Sequence, residues 1–316
     1  MTSAIQLEDV FTAHERFLWG VCYRMTGNAA DADDLVQETF VRAIKSPPTR
    51  TDEPWRPWLV RVAVNLSRDL LRRRKRQAYE GMWLPSPIET EEAPPAFDPP
   101  DEAGNPATRY DLIESVSFAF LLALEALTPT QRAVLLLRDV FDYSVLETAV
   151  ALAMSEANVK TTLHRARKVM QAYNRARRPL TQALQEQVQQ AMQQFLHCLF
   201  NHDVAGAEAL LAENVRHVSD GGGEFFAAKV PLVGREKVTL FHKRLVEIAA
   251  NKSYEVRSEW RVLNGLPALV FEIPNIPAGF APRTVLLCQL DANGRIAQLH
   301  SVLASRKLTA VRAIAK

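Results

Sequence analysis

Two neighbouring helical stretches between Asp31 and Arg76 limit what this chain can fold into more than any other feature. The first reads Asp31-Ala-Asp-Asp-Leu-Val-Gln-Glu-Thr-Phe-Val-Arg-Ala-Ile44. The second reads Pro57-Trp-Leu-Val-Arg-Val-Ala-Val-Asn-Leu-Ser-Arg-Asp-Leu-Leu71 and runs into Arg72-Arg-Arg-Lys-Arg76. Leu59, Val62, Ala63, Leu66 and Leu70 recur at three- and four-residue steps, the spacing of one buried helix face. Arg61, Asn65, Arg68 and Arg72 recur with the same steps on another face. Pro57 suits a first helical turn, where its missing N–H costs nothing. A helix that packs on one side and offers Arg/Asn/Arg/Arg on the other can lie along a phosphate backbone. A merely solvated basic face is the plain alternative.

The first stretch weighs against that alternative. Asn28 is placed to cap it, and Asp31 adds negative charge at the positive end of the helix dipole. Asp34, Gln37 and Glu38 share a face turned away from Leu35, Val36, Phe40 and Ala43. The words DADDLVQETFVRAI and PWLVRVAVNLSRDLLRRRKR, in this order and spacing, resemble region 2 of the extracytoplasmic-function group of bacterial sigma factors. The resemblance covers roughly residues 8–78. It implies that the acidic helix, through Asp34, Gln37 and Glu38, docks on RNA polymerase core. It also implies that the loop and second helix read and open the −10 promoter element through Trp55, Arg56, Arg61, Asn65, Arg68 and Arg72. In the loop at 46–56, Trp55 and Arg56 supply what an unstacked base needs, a flat face and a cation.

The net charge of +2 hides segregation. Residues 61–76 hold seven Lys/Arg against one Asp, and residues 155–178 hold seven against one Glu. Residues 84–108 hold six acids, seven prolines and no base. Two basic helices thus flank an acidic, proline-rich spacer, which composition reads as an extended linker that does not pack on its own. Cys22, Cys198 and Cys288 are too far apart for a metal or disulfide frame and read as reduced, mostly buried thiols. No apolar run approaches membrane-spanning length, and the N-terminus lacks a secretion pattern, so a cytoplasmic protein with no membrane contact is expected.

A tryptophan in such a linker suggests that the linker docks on something. Trp83-Leu84-Pro85-Ser86-Pro87 is similar to the WLPEP signature that lies between regions 2 and 4 of sigma factors with an extra C-terminal domain, with Ser86 in place of Glu. Farther on, Thr128-Pro129-Thr-Gln131 and Ser144 with Glu147 are helix starts with capping-box chemistry. A helix at 145–153, a turn at Ala153-Met154 and a helix at 156–173 make a helix-turn-helix. Val159, Leu163, Ala166 and Met170 form its buried stripe. Lys160, Thr161, His164, Arg165 and Lys168 lie opposite, available to a major groove. The segment from Leu127 to Lys168 resembles sigma region 4, which implies −35 recognition by those five residues. Ala153 stands where the family usually has Gly; if its φ is positive, Ala costs on the order of 1 kcal/mol there.

Beyond residue 180 the basic character ends. Helices are expected at 182–200, 204–212 and 234–250, and strands at 214–219, 224–230, 254–263, 267–273, 284–291 and 295–303. Asn264-Gly265 and Asn293-Gly294 are hairpin turns by chemistry. Helices followed by a curved antiparallel sheet around one more helix make an α+β domain. It resembles the SnoaL-like (nuclear transport factor 2-like) cone-shaped barrel. Asp220-Gly221-Gly222-Gly223 is similar to the DGGGK signature of sigma-fused copies, with Glu224 replacing Lys, and Ala304–Leu308 is a remnant of NPDKL. His217, Asp220, His242 and His300 are the acid/base candidates, but no nucleophile–base or metal-ligand spacing appears. No catalytic residue, cofactor or metal is therefore assigned, and the chain is read as a non-enzyme. Whether the barrel pocket is filled or keeps a small-molecule ligand stays open.

The expected organisation is multidomain. A region 2 domain spans 7–78, a linker 79–110, a region 4 helix-turn-helix domain 111–178, an α+β barrel 182–305 and a tail 306–316. Both sigma domains are all-α. The function expected is a polymerase sigma factor, with RNA polymerase core and promoter DNA as partners and the barrel as built-in regulator. Trp83, Leu84 and Pro85 and the Asp220–Gly223 turn are the proposed regulatory contacts. A ligand-sensing helix-turn-helix regulator, or a cyclase- or isomerase-like barrel enzyme fused to a DNA-binding module, is the alternative.

Overall fold

The structure is a computed structural model that describes residues 4–48, 54–76, 79, 81–90 and 110–315. The expected linker residues 91–109, with most of the acidic run, lie outside the described residues. The chain forms two compact units, one of residues 1–78 and 92–178, the other of 79–91 and 179–316.

In the first unit, α1 (Ala4–Thr26), α2 (Ala29–Lys45) and α3 (Trp55–Arg76) pack on one another around Leu18, Tyr23, Met25, Leu59 and Ala63. Asn28 caps α2 as expected, accepting from the Asp31 backbone N–H at 3.1 Å. The Asp31 carboxylate instead pairs with Arg74 near the end of α3, at 2.5 Å. The α3 face follows its sequence period in part: Leu59, Ala63 and Leu66 are buried, Val62 and Leu70 are half-buried, and Val60, Val64, Ser67 and Leu71 are buried in their place, which turns the buried face by about one residue. Its start does not: the helix begins at Trp55, so the loop before it ends two residues earlier than expected and both Trp55 and Arg56 lie in the first helical turn.

After a 3-10 turn at Glu114–Val116 come α4 (Phe118–Leu124), α5 (Pro129–Asp139), α6 (Val145–Leu152), α7 (Glu156–Val169) and α8 (Gln171–Ala176). Both capping boxes form, Thr128 with Gln131 and Ser144 with Glu147. The helix-turn-helix is α6, the turn and α7, with Val159, Leu163, Ala166 and Met170 buried as expected. The long helix expected to 173 breaks at Met170, which ends α7 and opens α8. These later helices pack directly on the first three, through contacts of α5 with α1 and of α5 and α6 with α3.

The second unit holds α9 (Gln182–Phe200), α10 (Val204–Ala209), α11 (Arg235–Asn251) and a six-stranded sheet. The strands are β1 (Leu211–Asp220), β2 (Leu232–Val233), β3 (Arg257–Leu263), β4 (Leu266–Glu272), β5 (Arg283–Leu290) and β6 (Ile296–Val302), in the order β2-β1-β6-β5-β4-β3. The α+β class holds, with one correction: β1 runs parallel to β6, so the sheet is mixed. Another concerns 224–230, expected as a strand. Gly221 O accepts from the Glu224 and Phe225 N–H groups, which folds that segment into a turn. Asn264-Gly265 is the two-residue hairpin loop expected, with φ of 52° and 82°, and Leu263 faces Leu266 across it. Asn293-Gly294 instead belongs to a longer loop folded around the Asp291 carboxylate, which accepts from the Asn293 and Arg295 N–H groups. The core joins Val188, Met192 and Phe195 of α9 and Val238 of α11 to Leu269, Leu286, Cys288 and Leu299 of the sheet.

Ala153 adopts φ 51° and ψ 51°, the left-handed conformation of the helix-turn-helix turn. An L side chain is strained there, so Ala153→Gly is expected to stabilise the first unit by about 1 kcal/mol. Urea denaturation of the two proteins checks it; an unchanged or lower midpoint contradicts it.

Candidate nucleic-acid interface and linker clasp

On α3 the four residues of the basic face divide. Arg61 and Arg72 are exposed, while Asn65 and Arg68 are half-buried. Arg72 is steadied by Asp69 at 3.1 Å, and Arg68 donates to Asn65 Oδ1 at 3.2 Å and to Thr130 Oγ1 of region 4 at 3.1 Å. Trp55 corrects the expectation of an open stacking platform. It is only 7% exposed and meets Trp58 edge to face with ring centroids 6.2 Å apart. Arg56 lies 3.9 Å over the Phe17 ring.

On α2, Asp34, Gln37 and Glu38 are all exposed, and Glu38 forms a surface pair with Arg42 at 2.9 Å. The second helix of the helix-turn-helix, α7, likewise presents Lys160, Thr161, His164, Arg165 and Lys168 to solvent. Arg167 is set apart from them: both its Nε and NH2 donate to the Asp139 carboxylate, at 2.9 and 2.6 Å. That pair ties α7 to α5, the kind of bidentate geometry that fixes an orientation. Arg165, one step beyond Ala166's buried stripe, stands at the solvent side and is free of that constraint on α7's axis. If Arg165 meets a guanine edge, Arg165→Ala costs about 1–3 kcal/mol and relaxes preference at one base pair. Lys168→Ala, if Lys168 meets phosphate alone, weakens all sequences alike and flattens the salt dependence. Binding to a promoter library at two salt concentrations separates the two; sequence-blind losses from both contradict the base-reading role.

The linker signature is not an extended spacer. Residues 79–90 are docked on the second unit, with Leu84, Pro85, Ser86, Pro87 and Ile88 buried. The centre is Asp220, fully buried at the end of β1. Its Oδ1 accepts from the Tyr79 hydroxyl at 2.6 Å and the Gly222 N–H at 3.0 Å, and its Oδ2 accepts from the Leu84 N–H at 2.7 Å. Lys307, 2% exposed, donates to Asp220 Oδ2 and to the Leu84 carbonyl. The same ammonium lies 4.8 Å from the Tyr79 ring centroid and 4.5 Å from that of Trp83, within cation–π range. Gly222 allows the approach: at φ 61°, a Cβ there would come within 2.7 Å of the Ala304 Cβ. The other end of the segment joins the β3 edge. Ile88 and Asn264 exchange two hydrogen bonds, the Thr90 N–H donates to Val262 O at 3.0 Å, and Glu89 pairs with Arg261 and Arg312.

Sequence reading chose Trp83, Leu84, Pro85 and the Asp220 turn but missed Tyr79, Lys307 and Glu89. Lys307 was visible only as the lysine of the partial NPDKL remnant. Residues 306–314, read as a tail, are built into this clasp: the Arg312 N–H donates to Glu89 Oε1, and Arg261 donates to the carbonyls of Arg312 and Ala313. Replacing Asp220 by Asn leaves the Lys307 ammonium buried without its carboxylate, at a cost of about 3–5 kcal/mol. Faster chymotryptic cleavage at Tyr79 and Trp83 in Asp220→Asn is the expected result; unchanged cleavage contradicts the clasp.

Of the acid/base candidates, His217 and His242 meet inside the second unit. His217 Nδ1 lies 3.2 Å from His242 Nε2, and His217 Nε2 lies 2.7 Å from Ser219 Oγ. Burial holds His217 down at about 4 and His300 at about 3, and holds His242 well below the usual imidazole range, with the His217 charge adding to the last two. In the unfolded chain the same groups titrate near 6.5. Between these values the unfolded chain binds protons that the folded one does not, so stability falls as pH drops below about 6.5. Each histidine contributes up to about 1.4 kcal/mol per pH unit in that window. A urea midpoint for the second unit that declines from pH 7 to pH 5 is expected; a flat profile contradicts it. No group of three or more His, Cys, Asp or Glu among the described residues is arranged to hold a metal ion.

Comparison with known proteins gives these surfaces a context. Residues 10–77 match the family Sigma-70 region 2, and residues 117–170 match Sigma-70, region 4. The ECF RNA polymerase sigma factor SigG of Mycobacterium tuberculosis is 40% identical over 176 residues, 51% of this chain and 48% of SigG. The chain thus spans about half the length of that relative. SigX of Bacillus subtilis is 30% identical over 169 residues, which cover 52% of this chain and 81% of SigX. SigJ of Mycobacterium tuberculosis is 29% identical over 303 residues, 95% of this chain and 92% of SigJ. The crystal structure of SigJ is similar with a TM-score of 0.66 at 24% identity, covering 96% of this chain and 98% of that one, a likeness of fold.

Proposed function

The chain belongs to the extracytoplasmic-function sigma factors of RNA polymerase, and on that premise we propose that it directs promoter-specific transcription initiation. In this reading α2 docks on the polymerase core through Asp34, Gln37 and Glu38. The start and basic face of α3 take the −10 element, and α7 takes the −35 element. One observation carries it: a solvent-facing acidic helix, a basic helix beside it and an exposed basic recognition helix occur in one chain. A repressor or a barrel enzyme with a DNA-binding appendage has no use for the first two together. The partners are therefore polymerase core and promoter DNA, and the site of action is the cytoplasm. No described helix is long and apolar enough to cross a membrane.

The second unit acts in this proposal as a non-catalytic regulator. Among its described residues the Ser219–His217–His242 chain resembles a relay, and those residues are 3%, 0% and 6% exposed. Its regulatory lever is the clasp. Docking residues 79 and 81–90 on the second unit fixes about a third of the chain between Arg76 and Tyr110.

Transcription by purified polymerase core lacking other sigma factors, on a genomic fragment library, tests the main proposal. The chain should restore initiation from a defined set of start sites; no initiation contradicts it. Reversing the charge of both Asp34 and Glu38 should lower core affinity while leaving the melting temperature nearly unchanged, because that face is solvated. Unaltered affinity would remove α2 from the polymerase contact.

A further inference from the structure

The sheet of the second unit is buried on both faces, and alternation along its strands separates the two. Val215, Leu269, Leu286, Cys288 and Leu299 face the core shared with α9 and α11. Their neighbours Val270, Val285, Leu287, His300 and Val302 point the other way and are buried as well. The docked linker crosses this second face. Its Leu84 N–H is held by Asp220 at the end of β1, and its Ile88 N–H by Asn264 at the β3–β4 turn. In the sheet β6, β5 and β4 lie between β1 and β3, so residues 84–88 pass over those three strands, and all five are buried. His300 stands on β6 beneath this crossing, between Val218 of β1 and Leu287 of β5, and is 2% exposed.

An imidazole placed there has no anion to answer a proton. The carboxylates on this face and in its cover, among the described residues, are already held by cations. Asp220 is held by Lys307, Glu272 by Arg283, Glu259 by Arg261, and Glu89 by Arg261 and Arg312. Arg216, on the same face of β1, is exposed and positive. Behind the sheet stand His217 and His242, whose protonated forms would repel a charged His300. Burial, with the His217 charge added, holds His300 at about 3. Once the linker lifts, the ring meets water and regains the ordinary value near 6.5. Between those values the open form binds a proton that the docked form refuses. Docking is therefore at full strength above about 6.5 and weakens as pH falls through the window.

We propose that His300 makes the docked linker an acid-released strap, because a proton on its imidazole is incompatible with residues 84–88 lying over it. Acidification then frees the linker while the rest of the second unit stays folded. The release needs only the docking described above; its use as a control rests on the reading of the second unit as a regulator, to which it adds a chemical input.

Hydrogen–deuterium exchange of the full-length chain at pH 7 and pH 5, read by peptide mass spectrometry and corrected for the intrinsic pH dependence of exchange, tests it. Docking holds the N–H groups of Leu84, Ile88 and Thr90. One histidine moved from about 3 to about 6.5 shifts the opening equilibrium about twentyfold across that interval, so their protection should fall about twentyfold. Carboxylates with ordinary values near 4 titrate below it. Residues 266–272 of β4 should stay more protected than the linker at both pH values. His300→Gln should make linker protection the same at both, and His300→Leu offers a second replacement without a titrating group. Undiminished linker protection at pH 5 in the parent overturns the proposal, and so does a fall that persists in both variants. Equal protection of the linker and residues 266–272 at pH 5 means that the whole domain unfolds, which overturns it too. If neither variant docks its linker at pH 7, the comparison of these two segments in the parent decides. Each of these outcomes leaves the polymerase and promoter surfaces of the first unit untouched.

Discussion

Two buried arginines, crossing in opposite directions between region 2 and region 4, are the constraint on which the first unit depends. Arg24 of α1 is fully buried and donates to Ser115 Oγ at 2.7 Å and to Leu112 O at 3.1 Å, both on the approach to region 4. Arg132 of α5 is 3% exposed and donates to Met25 O at 2.8 Å, at the end of α1, and to Leu124 O and Glu125 within its own region. Burial lowers the Arg24 pKa to about 9, which still leaves it charged at neutral pH. A buried charge that loses its partners is costly, by a few kcal/mol for each hydrogen-bonded group left unsatisfied. Parting the two regions would therefore require water or another ligand to take over these carbonyls together. That all-or-none character suits a switch better than a soft hinge does.

The second unit repeats the same physics with a lysine and an aspartate. Asp220 ends β1 and receives hydrogen bonds from the linker, from its own glycine turn and from Lys307. Its backbone carbonyl also accepts from the Leu303 and Ala304 N–H groups. One residue thus joins the sheet, the linker and the C-terminal segment. The two departures from the family signatures fall near this site without breaking it. Ser86 is buried, and the Glu224 carboxylate accepts from the Ser305 N–H at 2.7 Å, which ties the glycine turn to the C-terminal segment.

What was legible in the sequence was local. The capping boxes of α5 and α6, the period of α3, the left-handed Ala153 and the Asn264-Gly265 turn all depend on neighbours within a few residues, and each formed. The parallel pairing of β1 with β6 was not legible, because it is closed by a return path through five intervening elements. The linker misled for a related reason: proline and acidic content read as unpacked, while the partners that pack it lie at residues 220, 264 and 307. His217 and His242 looked scattered because their meeting depends on α11 crossing β1. The exposed site residues of α2 and α7 were read correctly as solvent-facing because a helix period separates faces without reference to a partner. Trp55 was not, since its burial depends on tertiary packing.

The account as a whole turns on whether the closed arrangement of regions 2 and 4 gives way at a promoter. Spin labels at exposed Glu8 on α1 and Val150 on α6 would report it through their dipolar distance in the free chain and in the complex with polymerase core and promoter DNA. A single short distance in the free chain, replaced by a longer one in the complex, is the predicted result. The same distance in both states, or a long one in the free chain, would contradict it.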